Sequence, residues 1–230
     1  MLIDLKVAQL LSSKLCHDLV GPAGAVHNGM ELLQEMGSGD DGGATALVAS
    51  SIDKMSARLG FYRMAFGLGG LSGRSSAFHE SRDLAEGFLA GGRVSLVWPE
   101  TFGDGTRDLP VYAAKLLLNM VLVGADAMPR GGAMQVSLAL MGDGNGRKGV
   151  GMAVDASGEG VGFKEEMRAA LSSGRSGNQP ASASELGLNA HNVHGYFCQR
   201  LAASLGCEVE VSESMNDFKL AVLVPEQNEG

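Results

Sequence analysis

The stretch LCHDLVGPAGAVHNGMELL, residues 15–33, decides how the first third of the chain folds. Leu15, Leu19, Val26, Met30 and Leu33 step by 4, 7, 4 and 3, which keeps them on one stripe of a helix. Working outward, the helical pattern runs over residues 2–36 and stops at Gly37–Gly43, a run too polar and glycine-rich to continue it. A second stripe follows: Val48, Ile52, Met55, Leu59, Tyr62 and Phe66 step by 4, 3, 4, 3 and 4. That is an a/d heptad over nearly three repeats. Two helices joined by a short turn make an antiparallel hairpin. A lone hairpin leaves both stripes uncovered. Either a second copy completes a four-helix bundle about a two-fold axis, or the rest of the chain covers the stripes. The heptad regularity favours the dimer.

Gly67–Ser76 (GLGGLSGRSS) has a linker's composition and divides the chain into residues 1–70, the hairpin, and 71–230. The second part reads as an α/β sandwich with a mixed or antiparallel sheet. A helix is expected at about 79–90, a strand at Arg93–Trp98 and an apolar helix at Val111–Met128. Ala133–Met141 and Gly149–Asp155 flank a GDGNGRKG turn and form a hairpin. Helices near 163–171 and 190–205, then strands at 207–213 and 218–224, complete it. Leu171–Ser184 is low in complexity and is expected to be mobile.

Composition narrows the function. The 230 residues carry a formal net charge of −8 with 45% hydrophobic residues, which suits a globular core and argues against disorder. Neither part offers a basic field for phosphates, so nucleic-acid binding is disfavoured. The longest apolar run, Leu116–Ala125, is far short of a membrane span, and MLIDLKVAQL lacks the layout of a secretory signal. Three cysteines without a CxxC fit a reducing compartment. A soluble, cytoplasmic protein is expected.

At about 100° per residue, His17 lies roughly 180° from the centre of its helix stripe and points to solvent. An exposed imidazole can change charge near neutral pH. Asp18 follows at once, and it can either orient the imidazole or pair with Lys14 one turn earlier. Pro22 interrupts the helical hydrogen bonding just beyond and is expected to kink the helix and free carbonyls about one turn past His17. Gly21 and Gly24 leave the helix surface bare for another protein to approach. On the same face stand Ser13, Val20, Asn28 and Glu31, with Lys14 beside them; Gly60 and Met64 are the expected neighbours from the second helix.

The pattern His17–Asp18–x–x–x–Pro22 on a heptad helix resembles the H-box of the dimerisation and histidine-phosphotransfer domain of two-component signalling proteins. Residues 10–36 resemble in particular the ChpT-type histidine phosphotransferases of alphaproteobacterial phosphorelays. That resemblance implies a phosphorylated His17 assisted by Asp18. It also implies donation from a receiver-domain aspartate of a hybrid kinase (CckA-like) and delivery to response regulators (CtrA-like, CpdR-like). No cofactor or metal of its own is implied; Mg²⁺ and a lysine would come with the receiver. Gly21 stands where phosphatase-competent kinases carry Thr or Asn, which implies slow dephosphorylation.

In sensor kinases such a hairpin precedes an ATP-binding α/β sandwich, and the second part resembles one whose nucleotide residues have been lost. LLLNMVLVGADAMPRGG is similar to the N-box, with Asn119, Pro129, Gly131 and Gly132 in place, but Val123 stands where a magnesium-binding asparagine belongs. Valine offers no oxygen to a hard cation. VDASGEGVG is similar to the adenine-reading box, but Ala156 holds the aspartate's place and Asp155 is one residue early, on the opposite strand face. Ala183 and Glu185 replace glycines of the lid. The expectation is phosphotransfer without ATP. The alternatives are an ATP-dependent kinase with a divergent pocket and a non-catalytic receiver-binding scaffold. His27 reads as a flanking surface residue and Cys16 as packing. His191 and His194, on one helical face, are two metal ligands without a third. Trp98 is core.

Overall fold

The computed structural model describes residues 5–36, 42–67, 76–103, 108–142, 148–174 and 186–227. The expected turn at 37–43, the linker at 67–76, the low-complexity run at 171–184 and the lid positions Ala183 and Glu185 lie wholly or mostly outside those residues. Helix α1 spans Leu5–Met36 and runs unbroken through Pro22; α2 spans Gly43–Phe66. Their close approach is set at Gly29, where an added Cβ would come within 2.6 Å of Val48 Cγ2. No helix among the described residues is long and apolar enough to cross a membrane.

The second part is a mixed five-stranded sheet backed by helices on one face. In chain order it holds α3 (Ala77–Leu89), β1 (Val94–Val97), α4 (Val111–Asp126), β2 (Gly132–Gly142), β3 (Lys148–Ser157), α5 (Glu165–Ser173), α6 (Val193–Ser204), β4 (Glu210–Ser214) and β5 (Asp217–Pro225). The strand order is β1-β2-β3-β5-β4; β1–β2 is parallel and the other pairs are antiparallel. The parallel start of β2 needs glycine. Gly131 and Gly132 have φ of 86° and 138°, and a Cβ on Gly131 would sit 2.2 Å from the Arg93 carbonyl oxygen. The first turn of α3 is satisfied from outside its own helix: Asp108 accepts from the Ala77 and Phe78 N–H groups at 2.6 and 3.0 Å.

The apolar run of α4 is the centre of the molecule, with every residue from Leu116 to Val123 fully buried. One polar group lies within it: Asn119 donates its amide to the carbonyls of Lys115 and Ala65, both at 2.9 Å. The second of these bonds stitches α4 to the end of α2. Trp98 is core as expected, at 8% exposure.

The same core crosses the expected boundary at residue 70. Phe61, Tyr62, Met64 and Ala65 of α2 are buried in the main cluster with Phe78 and the residues of α4. Val7 and Leu11 of α1 close a smaller cluster with Ala170, Leu188, Val193 and Phe197. The hairpin therefore rests part of its stripes on its own chain, the alternative to the favoured second copy for that part. Elsewhere along the hairpin apolar side chains stay open: Met30, Ile52 and Leu59 keep 45%, 43% and 49% of their surface.

Candidate functional site

His17 stands on the solvent side of α1 with its side chain 73% exposed. Its Nδ1 lies 3.1 Å from Asp18 Oδ1. A carboxylate only accepts, so this bond requires the proton on Nδ1 and leaves the lone pair on Nε2, the outward nitrogen. Asp18 is held from several directions. The Tyr62 hydroxyl donates to its Oδ2, and Lys14 Nζ lies 3.4 Å from the same oxygen. Both alternatives for Asp18, orienting the imidazole and pairing with Lys14, coexist. Partial burial pushes its carboxyl up, but the Tyr62 hydrogen bond, the Lys14 charge and the His17 contact together hold it below the usual carboxylate range. Burial and the Asp18 carboxylate push the Tyr62 phenol far up, so it remains a donor.

Pro22 has its reason here. In an α-helix the N–H of residue 22 would bond the carbonyl of residue 18, and proline has no N–H. The orphaned Asp18 carbonyl accepts from the Arg58 guanidinium of α2 instead. The proline thus removes one backbone hydrogen bond from the turn that carries His17, and Arg58 of α2 supplies a donor in its place.

The site continues inward through Lys14, which is 6% exposed. Its ammonium bonds Asp126 Oδ2, at the end of α4, at 2.9 Å. His194 of α6, fully buried, brings Nε2 to 3.1 Å from the same oxygen. Burial alone would raise the Asp126 carboxyl; His194 and then Lys14 hold it well below the ordinary range. Burial pushes the His194 imidazole down. Three elements of the α/β part and hairpin, α1, α4 and α6, meet in this cluster.

Several expected roles need correction. Lys14 does not stand on the open face, because two carboxylates draw it inward. Met64 is buried in the main core at 4% exposure and cannot meet a partner directly. Gly60 is half-buried, with the Leu84 side chain 3.4 Å from where its Cβ would be. Cys16 is exposed rather than packed. His191 and His194 do not share a helical face: α6 begins at Val193, so His191 sits in the preceding turn while His194 points inward. No cluster of three or more metal-ligating side chains occurs among the described residues.

The remaining expected face is open. Ser13, Val20, Gly21, Gly24, Asn28 and Glu31 are all exposed, Val20 at 67%, and nothing lies within 4 Å of a Cβ placed on Gly21 or Gly24. His27 pairs with Glu31 at 3.4 Å on the same surface. Beside His17, on the other side, a cleft of 470 Å³ separates α1 from the α/β part, with Lys164, Glu166 and His191 on its far wall. Lys164, Glu166, Arg58 and Asp126 carry no local signal; His191 reads in the sequence as one of two paired histidines and Tyr62 as a heptad position, and neither signal places it in this site.

The nucleotide-box residues take other duties. Val123 is fully buried among apolar side chains, and Asn119 is committed to backbone carbonyls. Asp155 lies on the sheet face away from the helices, paired with Lys219 on β5 at 3.0 Å, while Ala156 turns inward at 3% exposure. Neither the Val123 nor the Ala156 side chain has an oxygen to offer a magnesium ion or an adenine.

A hairpin bearing an exposed His–Asp pair, fused to an α/β layer, describes a class of phosphotransfer proteins. Residues 78–217 match the family model "Histidine phosphotransferase C-terminal domain", and the chain belongs to the histidine phosphotransferase family. It is 34% identical over 220 residues to the protein phosphotransferase ChpT of Brucella abortus (strain 2308), covering 93% of each chain. A solved bacterial phosphotransferase superposes with a TM-score of 0.71 at 29% identity, covering 96% of this chain and 98% of that one.

Proposed function

We propose that this histidine phosphotransferase carries a phosphoryl group on His17 between two receiver domains and draws none from ATP. The observation that carries the reading is the His17–Asp18 pair at 3.1 Å on an otherwise open helix face. With Nδ1–H held by Asp18, the Nε2 lone pair attacks the phosphorus of a receiver aspartyl phosphate in line. The N–P bond forms as the P–O bond breaks, and the electron pair returns to the aspartate carboxylate. The Nδ1 proton stays in place and the positive charge on the ring faces the Asp18 carboxylate. Delivery to a second receiver is the same step reversed. Mg²⁺ belongs to the receiver, where it offsets charge on the phosphoryl oxygens.

Docking over Ser13, Val20, Gly24, Asn28 and Glu31 brings a receiver against bare helix at Gly21 and Gly24, where no side chain blocks it. The upstream partner is the receiver domain of a hybrid kinase and the downstream partners are response regulators, CckA-like and CtrA- or CpdR-like by the resemblance. A homodimer through the open part of the hairpin is supported by the exposed Ile52 and Leu59, seven residues apart on one stripe. Gly21 carries no side chain to orient a water on the phosphohistidine, so the phosphorylated chain should be long-lived.

The test mixes the protein with a phosphorylated receiver domain and, separately, with labelled ATP and Mg²⁺. Acid-labile phosphate on His17 from the receiver and none from ATP is the expected result, and His17→Ala should lose the label but keep receiver binding. Label acquired from ATP defeats the reading in favour of a kinase. Receiver binding without any transfer defeats it in favour of a scaffold.

A further inference from the structure

The turn before α6 carries a second imidazole to the phosphoacceptor. The rings of His17 and His191 lie edge to face, 6.0 Å between centroids and 81° between planes. Both line the same 470 Å³ cleft. His191 comes from the far part of the chain, 174 positions after His17, so no local periodicity brings them together.

The turn that presents His191 is fastened on every side. The His191 backbone N–H donates to Asn189 Oδ1 at 2.8 Å, and the Asn189 N–H donates to Asn192 Oδ1 at 2.8 Å. Asn192, only 3% exposed, donates its amide to the carbonyls of Glu166 and Gly187 at 3.3 Å. Two asparagine side chains thus tie the turn to itself and to α5. The ring they hold out is not used in the same way: among the described residues no side chain hydrogen-bonds it. The acids that line the cleft are already engaged. Asp18 and Asp126 pair with Lys14, and Glu166 accepts from Asn189 at 3.3 Å.

We propose that His191 is a catalytic residue of the transfer, its ring N–H donating to an equatorial oxygen of the phosphoryl group while that group passes between His17 Nε2 and the receiver aspartate. This rests on the reading of His17 as the phosphoacceptor. The attacking and leaving atoms lie along one axis, so the three equatorial oxygens project to the side of it, and His191 lines the cleft beside His17. The bonds that form and break are those already given; His191 adds one hydrogen bond that is strongest when charge on those oxygens is greatest. The fastened turn holds the backbone that carries that donor in place during the reaction.

The experiment follows transfer from a phosphorylated receiver domain to the full-length chain, with affinity for the unphosphorylated receiver measured in parallel. His191→Ala should slow transfer by about tenfold, less than the 10²–10³ seen when a donor is lost from a closed oxyanion hole, because the cleft is open to water. Its affinity for the receiver should stay at the wild-type value. His191→Gln, which keeps an N–H donor, should return most of the rate. Wild-type transfer by His191→Ala, equal losses of rate and affinity, or a Gln variant as slow as Ala would each overturn the proposal. A wild-type chain that takes up no phosphate brings down the reading of His17 and His191 with it; a labelled wild type with an equally fast His191→Ala brings down His191 alone.

Discussion

A proline at position 22 withholds an N–H from the Asp18 carbonyl, and Arg58 supplies the donor from the neighbouring helix. The pair explains why a helix tolerates proline beside its reactive residue: the break is converted into a cross-helix bond that sets the rotation of the His17–Asp18 turn. Arg58→Ala should therefore cost about 1–2 kcal/mol, the price of a half-buried carbonyl left without a donor. It should also slow phosphoryl uptake, because the turn carrying His17 loosens. A urea-unfolding midpoint and a transfer time course check the two effects. Unchanged values for both would mean that water serves the carbonyl equally well. At this scale His17, Asp18 and Pro22 were legible because the motif lies within two helical turns. Arg58 was not, since its partner is 40 residues away in the chain.

At the scale of elements, the central feature is the junction of α1, α4 and α6 at Lys14, Asp126 and His194. Lys14→Met leaves two carboxylates facing each other without their cation. It should destabilise the fold by about 2 kcal/mol, below the 3–5 kcal/mol of a fully buried pair because Asp126 keeps 37% of its side-chain surface in water. The pH dependence follows the same junction. For Asp18, Asp126 and His194 alike, the folded chain binds the proton less readily than the unfolded chain. Their contributions are complete above the unfolded values, 3.8 for the acids and 6.5 for the imidazole, and are lost as the pH falls toward the depressed folded values. Thermal unfolding should show stability level above about pH 7, a first decline below 6.5 from His194 and a second below 3.8 from the two acids. His194→Gln should remove the first decline and keep the second; a profile that rises on acidification would contradict the arrangement.

For the whole molecule, the division of the hairpin is the main lesson. Its Tyr62 face is sealed by the α/β part, which leaves little freedom for the two parts to swing apart, whereas Ile52 and Leu59 are open. A second copy laid on those open side chains would bury apolar surface at about 25 cal/mol per Å². The double variant Ile52→Glu, Leu59→Glu should then sediment as a monomer at concentrations where the wild type is a dimer. Its melting behaviour should lose the concentration dependence that a dimer shows. A wild type that is already monomeric would leave those side chains without a partner of their own kind.

The helices, the strands and their order of types were readable from residues 15–33 and from the alternation of the later segments, because periodicity is a property of neighbours a few positions apart. The placement of Val123 and Asp155 was readable too: a valine has no oxygen to give, and a one-residue shift sends a strand side chain to the other face whatever the fold around it. Folding alone decided that Lys14 turns inward, that Met64 is core, that Tyr62 and Arg58 serve Asp18, and that His191 meets His17. Each of these joins residues on different elements, and which elements meet is settled by how their apolar faces are buried together, a quantity no single stretch of chain contains.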